Sequence, residues 1–181
     1  MTAGRRRFPI RYSIQRWNDG LWFYGSLVGV MLILTVVQLV SHKEALSFVL
    51  VLAVSAGILL VHWVMRLTSY LETSDDALRV RYVLRHVELP YTAVTRVRRQ
   101  PLEVAFQPAE RRRFVNRFVR RLAREPAAYI RLDRRQPDVV TETERRLGPR
   151  LVAGADIVLP IVGVDDFVTE MKSRLRGQPG E

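Results

Sequence analysis

The residues able to do acid–base, nucleophilic or metal chemistry are few and scattered. The chain has three histidines, His42, His62 and His86, and no cysteine. Without cysteine there is no disulfide, no thiolate metal site and no cysteine nucleophile. His86 is the only histidine after residue 66, which excludes a histidine metal cluster from that part of the chain. Ser69, Ser74 and Ser173 lack the context of a nucleophile elbow, and no glycine-rich phosphate loop occurs. The acids Asp133, Asp138, Glu142 and Glu144 stand among arginines. Surface ion pairing accounts for them more simply than acid–base catalysis does. The expectation is a protein that is not an enzyme, with no catalytic, cofactor-binding or metal site.

The remaining chemistry is that of arginine. The formal net charge is +11 over 181 residues. Its densest expression is the segment 109–125, AERRRFVNRFVRRLARE, bounded by Pro108 and Pro126. Phe114, Val115, Phe118, Val119 and Leu122 recur at helical spacing, and arginines fill most other positions. A basic amphipathic helix is expected there, and Arg112, Arg113, Phe114, Arg117, Phe118, Arg120 and Arg121 are its candidate membrane or partner surface. Such a helix can pack its apolar stripe on a neighbouring sheet, lie in an anionic membrane interface, or dock on an acidic partner. Nucleic acid is not expected, because no recognised binding motif accompanies it.

The elements that would position this surface begin with two apolar stretches. Residues 21–40 and 45–65 contain no charged side chain. Each is long enough, at about 30 Å of helix, to cross the hydrocarbon core. A cleaved signal peptide fits the first poorly, because its apolar stretch is long and a second follows at once. Arg5, Arg6, Arg7, Arg11 and Arg16 precede the first span, Arg66 follows the second, and only Ser41-His42-Lys43-Glu44 lies between them. The positive-inside rule therefore predicts both termini in the cytoplasm. Trp17, Trp22, Tyr24 and Trp63 are the expected interfacial anchors. Gly25, Gly29, Ala53 and Gly57 have the small-xxx-small spacing of close helix packing, within the hairpin or against another copy or another membrane protein. His62 is ionisable but shallow, and an interfacial position explains it most simply.

After residue 66 the pattern changes to alternation. Leu78, Val80 and Tyr82 share one face of a strand, with Arg79 and Arg81 on the other. Ser74-Asp75-Asp76 reads as a turn before it, and residues 87–91 and 94–99 read as further strands. Residues 156–160 suit a last strand. Residues 164–176 suit a helix with acids in its first turn and bases in its last. The stretch 133–151 reads as a strand edge around Val139-Val140-Thr141, or a loop.

This succession, with two apolar helices before it, resembles the bacterial PH-like domain family. The resemblance implies two antiparallel sheets closed by a C-terminal helix, and a binding or assembly module with no catalytic residues to carry over. The expected architecture is thus an α+β membrane protein: a transmembrane helical hairpin, then a PH-like antiparallel β domain with a C-terminal helix and an inserted amphipathic helix. Its parts are a basic arm (1–20), the hairpin (21–65), a cytoplasmic PH-like domain (66–176, insert 100–127) and a tail (177–181). The expected function is that of a membrane-anchored adaptor at the inner (plasma) membrane, binding a protein partner or anionic lipid. The alternative is an accessory subunit of a larger membrane complex, held by its helices. Membrane lipids, another membrane protein and a second copy of the chain are the partners considered.

Overall fold

The computed structural model describes residues 5–41, 46–105, 121–149 and 151–176. The chain is α+β and divides into two compact units. One unit, residues 12–67, holds two long helices. The other is built from residues on both sides of them, 1–11 and 68–181.

The helical unit consists of α1 (Arg11–Val40) and α2 (Leu46–Thr68). Both are long and apolar enough to cross a membrane. Only 6% of the residues in the most apolar window of each helix are buried. Leu32, Ile33, Val36, Leu50, Val54 and Leu60 are all exposed. Such a continuous apolar surface is the mark of a hydrocarbon or protein partner. Two hydroxyls within the helices are satisfied locally: Thr35 Oγ1 donates to the Met31 carbonyl at 2.7 Å, and Ser26 donates to the Trp22 carbonyl. α1 starts ten residues before the apolar stretch, so Trp17 and Arg16 are helical rather than part of an arm.

In the second unit the first strand, β1 (Arg6–Pro9), comes before the helices. It pairs with β2 (Tyr70–Thr73), which comes after them. This differs from the expectation of a basic arm. β3 (Ala77–Tyr82) and β4 (Arg85–Pro90) extend the sheet in the order β1-β2-β3-β4, antiparallel throughout. The expected alternation holds in β3, where Leu78 and Val80 are buried and Arg81 is exposed. A second antiparallel sheet follows, in the order β5-β6-β8-β7. Its strands are β5 (Val94–Pro101), β6 (Pro126–Leu132), β7 (Val152–Ala153) and β8 (Asp156–Leu159).

Two helices cover these sheets. α4 (Val164–Arg176) packs on β5 and β6, burying Phe167, Val168 and Met171. α3 (Pro137–Leu147) packs on β4 and β7. The stretch around Val139-Val140-Thr141 is therefore helix, not a strand edge or loop. Pro137 at the first position, Asp138 in the first turn and Arg145 and Arg146 in the last favour that helix over the β preference of its branched residues. β1 seals the core. Phe8 meets Phe167 edge to face with centroids 5.3 Å apart, and the fully buried Ile10 bridges to Ile161.

Candidate functional site

β4 is the outer strand of its sheet, with β3 on one side and no described strand on the other. In an antiparallel strand alternate residues turn their main-chain groups away from the partner, so the free side of β4 offers donors and acceptors. α3 runs beside this edge. Between them lies an open groove of about 500 Å³, lined by His86, Glu88, Pro90, Asp138, Val139 and Arg146 among others. The Arg85 guanidinium donates to the Leu147 carbonyl at 3.2 Å and pins the end of α3 to β4. Gly148 follows with φ 82°, and a Cβ there would stand 2.8 Å from Arg85 Nη1. Glycine suits both the backbone and the space at that point.

Two of the carboxylates around the groove, Glu88 and Glu142, are already paired. Glu88 pairs with Arg79 at 2.9 Å. Glu142 is held by Arg146 and Arg145, and the hydrogen bond from Arg146 is the main reason its carboxyl stays below the usual range. An edge strand flanked by a helix can take an extended peptide as an added strand. Among the described residues no group of three or more His, Asp or Glu side chains could hold a metal ion.

A second cluster fastens the strand that comes from before the helices. The Glu72 carboxylate, on a residue only 3% exposed, accepts from Arg7 Nε at 2.6 Å, with Arg5 and Arg79 at 3.9 Å. Arg7 also lies over the Tyr70 ring, 4.7 Å from its centroid. That hydrogen bond to Glu72 raises the Arg7 pKa further above its ordinary value. Nearby, Tyr91 donates its hydroxyl to the Ser74 carbonyl at 2.6 Å, and burial pushes its pKa up. Thr73 donates to Glu170 at 2.6 Å, and Arg174 pairs with the same carboxylate at 3.1 Å. These contacts join β2 and α4 and are structural.

The residues named from the sequence are placed unevenly. Arg112, Arg113, Phe114, Arg117, Phe118 and Arg120 lie outside the described residues. Arg121 and Leu122 are helical, and Leu122 is buried. The chain just after them is anchored: Leu102 N–H donates to the Glu125 carbonyl, Glu103 N–H to the Ala123 carbonyl, and the Arg11 guanidinium to the Glu125 carboxylate at 2.7 Å.

In the helical unit, a Cβ at Gly29 or Gly57 would meet open space. At Gly25 it would touch only Leu21 of its own helix, and Ala53 is exposed. The close approach lies instead at Gly20, where a Cβ would stand 3.3 Å from His62 Nδ1. His62 Nε2 accepts from Arg16 Nε at 3.3 Å, and its ring stacks on Tyr24 with centroids 5.9 Å apart. Arg16, Gly20 and Tyr24 are one helical turn apart and form one face. Sequence reasoning placed Gly20 outside the span and missed this seam, although the i, i+4, i+8 spacing was there to read. Trp22 and Trp63 are exposed, and Trp17 is half-buried.

The β3–β4 turn, which the sequence suggests as a break at Leu84-Arg85-His86, begins one residue earlier. It consists of Val83 and Leu84, and Leu84 is 92% exposed. Two consecutive aliphatic residues between a strand and Arg85-His86 were its signal. No protein-family model matches the chain, and neither does any curated protein or solved structure.

Proposed function

We propose that this chain is a non-enzymatic, membrane-anchored adaptor whose PH-like domain binds a protein partner or anionic lipid at the inner membrane surface. The observation that carries this reading is the pairing of β1 with β2. One residue, Ile10, separates β1 from α1, and one residue, Ser69, separates α2 from β2. The chain therefore passes between the domain and the two apolar helices at two points, each through a single residue. If both helices span, the two strands emerge on the same side, where their pairing requires them. The arginine-rich flanks make that side the cytoplasm. The four-stranded sheet, the second sheet and the terminal helix α4 support the PH-like reading.

Two surfaces serve the binding. The groove between β4 and α3 suits an extended peptide, and the basic segment 109–125 suits an anionic surface. A tethered domain need not bind either tightly, because tethering raises its effective concentration. The runner-up, an accessory subunit held by its helices, is favoured by one observation. Gly29 and Gly57 face open space and are free to receive another helix.

Gentle detergent extraction followed by native sizing and mass spectrometry tests both. Neutralising Arg112, Arg113, Arg117, Arg120 and Arg121 to glutamine should release the bound partner or lipid from an adaptor. Gly29→Leu with Gly57→Leu should leave that binding intact. The reverse pattern would favour the subunit reading. A lone chain insensitive to both sets would count against each.

A further inference from the structure

We infer that the β3–β4 turn, Val83-Leu84 with its flanking arginines, is a wedge that seats the domain against an anionic lipid surface. This rests on the reading of α1 and α2 as membrane spans.

The register of the first sheet decides where the turn lies. Pro9 is opposite Tyr70, Tyr70 opposite Arg81, and Tyr82 opposite Arg85. The β3–β4 turn is therefore at the end of the sheet from which the chain leaves for α1 and returns from α2. A hydrogen bond fixes it there: Val83 N–H donates to Ser69 Oγ at 3.1 Å, and Ser69 is the single residue between α2 and β2. The opposite end of the sheet carries the turn Ser74-Asp75-Asp76, after Thr73 pairs with Leu78. The acidic turn is far from the helix connections and the aliphatic turn is beside them.

The composition of the turn goes against its own geometry. Val83 has φ 58°, and among the described residues it is the only non-glycine with positive φ. That conformation, at the first position of a two-residue hairpin loop, belongs to glycine, and a β-branched side chain is the least suited to it. Leu84, at the second position, is 92% exposed. A turn built for stability in water would be glycine and a polar residue. Strain and exposure that coincide at one site point to a use for the side chains. Arg81 and His86 stand exposed behind the tip beside Arg85, whose guanidinium also reaches the Leu147 carbonyl, and Arg81 has no ion-pair partner among the described residues. Aliphatic side chains in front of cations match a membrane interface, which is apolar beneath a layer of anionic headgroups. One leucine would not recruit a free domain to a bilayer. In a domain already held by two short connections it sets orientation, and it holds Asp75 and Asp76 away from the anionic surface.

The chain has no cysteine, so single cysteines can be labelled cleanly. Full-length Leu84→Cys, Asp76→Cys and Val37→Cys, each carrying an environment-sensitive fluorophore, would be placed in nanodiscs of phosphatidylcholine and phosphatidylserine. Spin-labelled lipid then serves as a quencher confined to the bilayer. The expected result is blue-shifted emission and quenching at Leu84→Cys and Val37→Cys, with a water-like, unquenched label at Asp76→Cys. Quenching at Val37→Cys without quenching at Leu84→Cys would overturn the wedge and leave the spanning helices standing. No quenching at any of the three would overturn both. In nanodiscs of phosphatidylcholine alone, quenching at Leu84→Cys should fall. Equal quenching in both compositions would overturn the role of the arginines.

Discussion

Glu72 joins residues that lie far apart in the sequence. Its carboxylate is buried, and the guanidinium that reaches it best, that of Arg7, comes from before both long helices. Glu72→Gln keeps the shape and removes the charge that Arg7 answers. The loss should be roughly 1.5–3 kcal/mol, the usual worth of a hydrogen bond to a charged group. Thermal melts of the detergent-solubilised chain would measure it, and an unchanged melt would mean that Arg7 finds water instead. Tyr91 gives a pH dependence with a definite sign. Burial is the main cause of its raised pKa, so the fold prefers the neutral phenol. The stability this contributes is complete below the unfolded value of about 10 and is lost as pH rises through the higher folded value. Tyr91→Phe should cost about 1 kcal/mol at neutral pH, for the lost bond to the Ser74 carbonyl, and should make the alkaline decline shallower. Tyr129, raised by burial in the same way, supplies the decline that remains. Val83 is the opposite case. Val83→Gly relieves a left-handed backbone and should raise stability by up to about 1 kcal/mol, net of glycine's entropy in the unfolded chain. A residue whose removal stabilises the fold is kept for something other than the fold.

At the scale of elements, β1 carries more than its four residues suggest. It supplies Phe8 to the ring contact with Phe167, and the chain continues at once into the fully buried Ile10. Ile10→Ala should destabilise the β unit by roughly 2–5 kcal/mol, the range for a large-to-small change in a packed core. Hydrogen exchange should show the effect across β2 and β8 and not in α1, and an effect confined to the helix would mean that β1 is not part of this core. The strand was hard to read because its arginines already had an explanation as a topology signal. Phe8 and Ile10, two residues apart, were its only apolar mark, and two residues do not establish a period. α3 was misread for a different reason. Val139-Val140-Thr141 favours strand by local preference, while the helix depends on its ends, Pro137 and Asp138 at one and Arg145 and Arg146 at the other. The apolar helices, the alternation of β3 and the amphipathic α4 were legible, because each is a local pattern long enough to repeat. The groove was not. β4 and α3 are far apart in sequence, and only the fold places Glu88 near Asp138.

At the scale of the molecule, the sheet and the number of spans constrain each other. β1 and β2 are joined only through α1 and α2, and they pair residue by residue from Arg6 with Thr73 to Pro9 with Tyr70. A single crossing would put the two strands on opposite sides of the bilayer, and the pairing, the Glu72 cluster and the burial of Ile10 would all be lost. Two crossings return the chain to the side it left. If the helices insert, the fold of the β unit is thus an internal check on insertion, independent of the charge bias expected to orient them. Single cysteines test this directly, since the chain has none of its own. With a membrane-impermeant maleimide on intact cells, Ser41→Cys, at the end of α1, should label from outside. Asp76→Cys, in the turn between β2 and β3, should label only after permeabilisation. Labelling of Asp76→Cys in intact cells would invert the topology and remove the cytoplasmic partner from consideration. Protection at both sites, with the sheet still folded, would mean that the helices lie on or within the inner leaflet without crossing it. The pairing of β1 with β2 would then reflect a hairpin that never left the side on which the domain folds.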